Sequence, residues 1–165
     1  MIEVIPALAR DLQVIYSLAL EIWPAAYKGI LSDDQIRYMM DSMYKKEVLD
    51  ELHQKEGYQF LIALNDRKPV GFALYHPKQG SPGTHRLSKL YIHKTQQRLG
   101  VGRNIINYII EDLKRLGSSS LELNVNRDNT AIKFYEKLGF TVLREEDIDI
   151  GQGYYMNDFV MRNSF

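Results

Sequence analysis

The stretch QQRLGVGRNII, residues 96–106, places a glycine-rich loop directly before a helical pattern. Gly100 and Gly102 are separated by one residue, and Arg98 and Arg103 flank them. The first amides of a helix lack intrahelical partners and carry partial positive charge, and glycine lets an anion approach them closely. One interpretation is therefore a phosphate-binding loop. The other is a tight turn that only closes a connection, and the two glycines alone do not distinguish them.

Two well-known phosphate-binding loops do not match this stretch. A P-loop requires GxxxxGK followed by Ser or Thr, and the chain contains no such run. A dinucleotide-binding fingerprint requires GxGxxG, but Ile105 occupies the position of the third glycine. The polar stretch between Ile92 and Gly100 is also too long for the tight strand-to-helix turn of that fingerprint.

Length and composition restrict the class of protein. A chain of 165 residues predicts a single domain, residues 1–165. The 21 basic and 21 acidic residues balance, which argues against nucleic-acid binding by bulk charge. The absence of cysteine excludes disulfides, thiolate metal sites and a cysteine nucleophile, and no metal site is predicted. Without a basic signal region or a long apolar run, we expect no membrane span and a cytoplasmic location.

Apolar spacing and turn residues predict alternating strands and helices. A strand at 1–6 precedes a helix that starts at Asp11 and ends at Pro24, and Ser32 caps a helix through Met43. The remaining predicted elements are a helical piece at 46–54, strands at 58–64 and 69–75 around a hairpin turn, a strand at 85–92, a helix that stops at Gly117, a strand at 120–126, a helix at 131–138 ended by Gly139, and two final strands. The helix before Gly117 carries an apolar stripe formed by Val101, Ile105, Ile109, Leu113 and Leu116. In the strand at 120–126, alternation turns Leu121, Leu123 and Val125 inward and Glu122 and Asn124 outward.

This order of elements predicts an α+β fold. A strand–helix–strand unit around the glycine loop needs a crossover, so its two strands should be parallel, whereas the hairpins should be antiparallel. We therefore expect a mixed, mostly antiparallel sheet of about seven strands, flanked by helices.

Two motifs resemble those of one enzyme family. QRLGVG at 97–102 is similar to the Q/R-x-x-G-x-G/A signature of the GNAT superfamily of acyl-CoA-dependent N-acetyltransferases. LNVNRDNTAIKFYEKLGF at 123–140 resembles the second motif of that superfamily, with Asn129, Tyr135 and Gly139-Phe140 in register. The order of strands also resembles the GNAT fold over nearly the whole chain, which implies a splayed sheet. WPAAYKGILSDDQIRYMM and IGQGYYMNDFVM further resemble a bacterial branch that includes spermidine/spermine N-acetyltransferases.

The resemblance implies acetyl-CoA as co-substrate and assigns residues to it. The backbone of the strand before the loop would pair with the pantetheine arm, and amides of the loop would hold the diphosphate. Asn129 would hydrogen-bond the arm, and Tyr135 would lie near the thioester sulfur. The implied strand residues are Leu90, Tyr91 and Ile92, and the implied loop residues are Gln97, Arg98, Leu99, Gly100, Val101, Gly102 and Arg103. The proline that the family often carries near Lys94 is absent.

Acetyl transfer sets chemical demands of its own. An alkylamine with a pKa of ~10.4 must lose a proton before it attacks, at a cost of about 4.6 kcal/mol at pH 7. The oxyanion needs a donor, such as a backbone N–H near Tyr91 or Ile92. Tyr135 is the candidate acid for the thiolate; its alternative role is to pack its helix onto the sheet. The strand offers no carboxylate as base, only His85, Ser88 and Lys89, so we consider His85 or ordered water.

The acceptor is expected between the early helices and the last hairpin. Glu21, Trp23 and Tyr27 are the predicted substrate residues. The aromatic faces of Trp23 and Tyr27 would attract a cationic amine, and the carboxylate of Glu21 would do so by its charge. Trp23 is equally suited to the core. Acidic residues that would attract a polyamine, or that simply form solvated faces, are Glu21, Asp33, Asp34, Glu145, Glu146, Asp147, Asp149 and Asp158.

The sequence thus favours an N-acetyltransferase that moves an acetyl group from acetyl-CoA to a primary amine by direct attack. A polyamine is the finer hypothesis for the acceptor. The alternative function is a non-catalytic acyl-CoA-binding sensor or interaction domain, and a nucleotide-dependent oxidoreductase is a distant third. The partner is a small-molecule or peptide amine. A homodimer is an open alternative, because the alternation of Tyr155, Asn157, Phe159 and Met161 would suit pairing with a neighbour's sheet or with the chain's own.

Overall fold

The computed structural model describes residues 1–165, and seven strands form one sheet with helices on both of its faces. The strands are β1 (Ile2–Pro6), β2 (Gln59–Asn65), β3 (Lys68–Pro77), β4 (Thr84–Ile92), β5 (Ser120–Asn126), β6 (Thr141–Gly151) and β7 (Tyr154–Ser164). The helices are α1 (Leu12–Tyr27), α2 (Asp33–Tyr44), α3 (Lys46–Gln54), α4 (Val101–Arg115) and α5 (Ala131–Lys137). The predicted order of elements is confirmed.

The sheet has the order β1-β2-β3-β4-β5-β7-β6, and only β4 and β5 are parallel. This arrangement confirms the predicted mixed, mostly antiparallel α+β fold. The parallel pairing is short, since it joins Thr84–Leu87 of β4 to Ser120–Leu123 of β5 and goes no further. In addition, Ser88 has no partner on β3, because Leu74 pairs with Lys89 and Tyr75 pairs with Leu87. Beyond this bulge the two central strands diverge and leave a gap in the sheet.

Two apolar cores cover the two faces of the sheet. β2 shows why its sequence is apolar without alternation: Phe60 and Ile62 face the core under α1–α3, whereas Leu61 and Ala63 face the core under α4 and α5. Both faces of β2 are therefore buried, and its successive side chains enter the two cores alternately.

Local turn signals are confirmed where the residue chemistry is strong. The hydroxyl of Ser32 accepts a hydrogen bond from the amide of Gln35 at 3.1 Å, as expected of an N-cap. Asp66 and Arg67 both adopt positive φ in the two-residue β2–β3 turn, which matches the twist of a hairpin. Gly117 ends α4 with φ +76°.

Two predictions about helices are wrong. Pro24 does not end α1, which continues to Tyr27. Proline removes one backbone donor, but Trp23 and Tyr27 are buried on either side of it, and their packing holds the last turn. Leu116 is 65% exposed and lies outside the apolar stripe, because α4 ends at Arg115 and the chain turns away at Gly117.

Strand β5 corrects one further prediction, and β7 bears on an alternative that the sequence left open. Glu122 was expected on the solvent side of β5 but is completely buried, where Lys78 and Arg162 both bind its carboxylate. The last strand, β7, lies between β5 and β6 and so has no free edge for a neighbouring chain. Its alternating side chains belong to the chain's own sheet, and dimerisation stays a prediction.

Candidate active site

The glycine loop connects β4 to the start of α4. Gly100 immediately precedes the helix and has φ +88°, a left-handed conformation that favours glycine. A Cβ at Gly100 would meet only Asn104 Nδ2, at 3.8 Å, so the space beside it is open. Arg98 is also left-handed, with φ +67°. Left-handed residues in such a loop expose successive amides.

The amides of this loop are free to bind a ligand. None of the six backbone N–H groups from Arg98 to Arg103 donates a well-formed hydrogen bond within the chain; the first helical bond runs from Asn104 N to Gly100 O at 3.0 Å. These amides stand at the positive end of a 15-residue helix. Such a combination fits the diphosphate of coenzyme A.

Gly102 has a packing role, because the space that a side chain would fill there is occupied by the chain itself. A Cβ at Gly102 would lie 2.7 Å from Phe134 Cζ and 2.9 Å from Ile92 Cδ1. The residue is buried. Its lack of a side chain lets the first turn of α4 contact both α5 and the end of β4.

A cavity of about 360 Å³ lies where β4 and β5 diverge. Its aromatic wall contains Trp23 and Tyr27 from α1, Tyr44 from α2 and Tyr91 from β4. Trp23 Nε1 donates to the Tyr44 hydroxyl at 2.9 Å, and the hydroxyls of Tyr27 and Tyr91 are 3.0 Å apart. The hydrogen bonds fix the orientation of these rings, so the wall is preformed.

The predicted substrate residues are only partly brought together. Trp23 and Tyr27 line the cavity, while Glu21 does not: its side chain is 63% exposed and its carboxylate lies 3.6 Å from His93 Nε2. Of the acidic residues named from the sequence, only Asp158 lines the cavity. Asp34 forms an ion pair with Arg37, and Asp147 forms one with Arg127.

Asp158 is the carboxylate of the cavity, and it is 1% exposed. Its Oδ2 accepts a hydrogen bond from Asn124 Nδ2 at 3.2 Å, whereas Oδ1 has no partner. Burial raises the pKa of Asp158, and the Asn124 hydrogen bond opposes that rise. A buried carboxylate with an unpaired oxygen, in a residue that lines a cavity, is a candidate proton acceptor.

Lys89 also lines the cavity, a position that sequence reasoning did not assign to it. Its ammonium lies 4.4 Å from the centroid of the Tyr44 ring and forms no ion pair. Burial lowers the pKa of Lys89 to about 8. The signal in the sequence was the two-residue spacing of Lys89 and Tyr91, which share the face of β4 toward α1–α3; the bulge at Ser88 turns Leu87 to the opposite core.

Tyr135 combines a buried ring with a free hydroxyl. Its ring packs between Phe134 and Phe140, with centroid distances of 5.1 and 5.6 Å. The hydroxyl makes no hydrogen bond within the chain and yet is not fully enclosed. Burial, with a smaller contribution from Tyr27, raises the pKa of Tyr135, so the phenol keeps its proton.

The other predicted residues lie as follows. His85 stands at the far end of β4, 2.6 Å from Ser118 Oγ, and does not line the cavity, so it is not placed to act as base. Leu90 and Ile92 pack against the core under α4, while their backbone lies on the part of β4 that has left β5. Asn129 Oδ1 accepts from Ala131 N at 2.8 Å at the start of α5, which leaves the Asn129 NH₂ group to donate.

Comparison with known proteins defines the family. Residues 28–153 match the family model described as Acetyltransferase (GNAT) domain, so the chain belongs to the GNAT acetyltransferases. It is 27% identical over 169 residues to spermidine N(1)-acetyltransferase of Thermoplasma acidophilum, covering 99% of this chain and 98% of that one. It is 31% identical over 103 residues to a [ribosomal protein bS18]-alanine N-acetyltransferase of Haemophilus influenzae, covering 62% of this chain and 65% of that one.

A solved structure agrees over the full length. The crystal structure of PaiA N-acetyltransferase from Thermoplasma acidophilum in complex with coenzyme A superposes with a TM-score of 0.85 at 26% identity, covering 100% of this chain and 99% of that one. The protein is therefore an acetyl-CoA-dependent N-acetyltransferase, with acetyl-CoA as co-substrate and an amine as acceptor. No helix in it is both long and apolar enough to span a bilayer.

Proposed function

We propose that this N-acetyltransferase acetylates a small primary amine held in the aromatic cavity, by direct attack on the thioester. The observation that carries the proposal is the divergence of β4 and β5, which opens the cavity between the two strands. The gap exposes the unpaired backbone of β4 to acetyl-CoA and the aromatic walls of the cavity to the amine. A thioester threaded through the gap would meet an amine bound in the cavity.

The co-substrate is assigned to the loop and the strand that precedes it. The free amides from Arg98 to Arg103 would hold the diphosphate, and Arg98 and Arg103 would add charge. Backbone groups of Leu90, Tyr91 and Ile92 would pair with the pantetheine arm, to which Asn129 would donate from its amide.

Asp158 is proposed as the group that receives the acceptor's proton. An amine enters as an ammonium ion, and Asp158, whose carboxylate lines the cavity and has a raised pKa, is suited to take a proton from it. The neutral nitrogen attacks the acetyl carbon, an N–C bond forms and the C–S bond breaks. This assignment supplies the base that β4 does not provide.

Tyr135 is proposed as the acid for the departing thiolate. Its raised pKa keeps the phenol protonated, and its hydroxyl is not engaged elsewhere in the chain. The phenol donates its proton to sulfur, and the second proton of the attacking nitrogen, released as the amide forms, restores the phenol. Asp158 then releases the first proton to solvent, so that protons and charge balance over the cycle.

Replacing Tyr135 with Phe should lower kcat about 100-fold, the lower end of general acid–base effects, because a thiolate is a fairly good leaving group. Acetyl-CoA affinity should stay within about twofold, since the ring and its packing between Phe134 and Phe140 are kept. Steady-state kinetics and calorimetric titration with acetyl-CoA measure the two quantities.

The matched control is Tyr155→Phe, which removes a hydroxyl from an exposed tyrosine of β7. It should leave both quantities unchanged. If Tyr135→Phe keeps the wild-type kcat at every pH, the acid role is wrong and Tyr135 only packs α5 onto the sheet.

A polyamine is the second candidate acceptor, and one observation favours it: a relative of nearly the same length bears the name spermidine N(1)-acetyltransferase. The unpaired carboxylate oxygen of Asp158 also suits an ammonium group. However, the other acidic residues expected to attract a polyamine lie outside the cavity. An acceptor screen with spermidine, spermine, monoamines and short peptides tests the candidate, with the release of free coenzyme A as the measured quantity.

The cytoplasmic location stays a prediction.

A further inference from the structure

Lys89 is the buried cation of the cavity, and the proposed transfer step does not use it. The residue is 9% exposed, on the part of β4 that has separated from β5. Its ammonium contacts the face of the Tyr44 ring, and the Tyr44 hydroxyl is occupied by Trp23. No protein carboxylate pairs with it.

An unpaired buried ammonium is costly, because burial removes it from water and nothing replaces the lost solvation. The aromatic face of Tyr44 offsets part of this cost. The pKa of Lys89, lowered by burial to about 8, still leaves the group largely protonated at pH 7. A cation of this kind is stabilised when a ligand brings a negative charge to it.

The rest of the lining separates charges of opposite sign. Besides Lys89, the charged residues of the cavity are Arg86 and Asp158. Arg86 donates to Asn124 Oδ1 at 2.6 Å, and Asn124 in turn holds Asp158. The ammonium of Lys89 lies over the Tyr44 ring of α2, whereas Asp158 of β7 is held by Asn124 of β5, so the two groups belong to different walls of the cavity. A polycation would find one carboxylate and two cations here, whereas a dipolar ligand finds a partner at each end.

We propose that the acceptor carries a carboxylate as well as its amine, as an amino acid does, and that Lys89 binds the carboxylate while Asp158 faces the amine. The inference rests on the proposed function, because it requires the acceptor to occupy this cavity. The inference narrows the acceptor from any small primary amine to an amine that also carries a carboxylate. Lys89 is thereby a specificity-determining residue that touches the acceptor, and it takes no part in the chemical step.

Matched acceptors that differ only by a carboxylate test the proposal. Suitable pairs are tyrosine and tyramine, lysine and cadaverine, and 4-aminobutyrate and propylamine, each assayed at saturating acetyl-CoA. In the wild type we expect kcat/KM to be about tenfold or more higher for the carboxylated member of the best pair. Lys89→Met nearly keeps the length of the side chain and removes its charge. It should reduce the preference for the carboxylated acceptor at least tenfold, mainly through KM.

Lys114→Met is the control, since it removes an exposed lysine on α4 far from the cavity; it should leave the preference unchanged. Calorimetry with the same acceptors in the presence of coenzyme A gives a readout that does not depend on turnover. Faster turnover of the decarboxylated amines, or of spermidine, would overturn the inference and leave the proposed function intact. If neither class is acetylated or bound, the proposed function itself fails. If Lys89→Met keeps the wild-type preference, the assignment to Lys89 is wrong.

Discussion

Replacing Asp158 with Asn should lower kcat about 10³-fold and, at the same time, raise the melting temperature. The loss of activity follows because the amide cannot take the proton that the attacking amine must release, and general bases contribute about 10²–10⁴-fold. The gain in stability follows because an ionised carboxylate that is 1% exposed, with one oxygen unpaired, is replaced by a neutral group of the same shape. Kinetics and a thermal melt of the same sample measure both effects.

The raised pKa of Asp158 makes the stability of the wild-type fold depend on pH. Folded Asp158 holds its proton to higher pH than the unfolded chain does, so wild-type stability falls as pH rises from the ordinary Asp value through the folded pKa. At neutral pH the variant escapes this penalty, and a gain of about 1 kcal/mol corresponds to roughly 2–4 °C. Below the ordinary Asp value the two melting temperatures should converge.

Asp41→Asn is the matched control, because Asp41 is an exposed acid on α2. It should change neither kcat nor the melting temperature. Should Asp158→Asn stabilise the fold without any loss of turnover, Asp158 would be excluded as the base, and proton loss through ordered water would become the better hypothesis.

Replacing Glu122 with Gln should have the largest effect on stability, a loss of about 3 kcal/mol or roughly 6–12 °C. Glu122 is completely buried on β5, where it accepts from Arg162 Nε at 3.0 Å and also pairs with Lys78. A neutral amide would leave both cations without their counter-charge. Lys78 and Arg162 are each partly exposed and can turn toward water, which keeps the loss near the lower limit for a broken buried pair.

The pKa of Glu122 gives this prediction a pH signature. Burial by itself would raise that pKa, but the hydrogen bonds from Lys78 and Arg162 outweigh it and leave the pKa below the usual value. The pair therefore contributes its full stability above the ordinary Glu pKa, and this contribution is lost as pH falls through the folded pKa. The difference between wild type and Glu122→Gln should shrink in acid. Glu136→Gln, on the exposed face of α5, is the control, and an equal effect there would contradict the assignment.

The parts of the fold that the sequence predicted are those set by local chemistry. Ser32 caps a helix, the pair Asp66-Arg67 closes a hairpin, and Gly117 stops α4, because each of these depends on a few neighbouring residues. The parallel pairing of β4 and β5 followed from the crossover alone. The failure at Pro24 has the opposite origin, since tertiary packing of α1 overrode a local helix-breaking signal.

The burial of Lys89 and Glu122 could not be predicted in the same way, although Asp158 was named from its charge. Alternation along a strand predicts which residues share a face, but it does not show whether solvent, another element or a cavity covers that face. Lys89 and Glu122 therefore had the sequence pattern of surface charges and are both buried. Conversely, Glu21 and the acidic run of β6 were expected near the acceptor because of their charge, and the structure leaves Glu21 largely exposed to solvent.

The contact of Gly102 with Phe134 and Ile92 has a consequence for how this enzyme can diversify. It locks the start of α4, the end of β4 and the helix that carries Tyr135 into one unit. The elements α1, α2 and the β6–β7 hairpin contribute side chains to the cavity from outside this unit. We therefore expect that exchange of side chains on those three elements alters acceptor preference without disturbing the packing of the glycine loop.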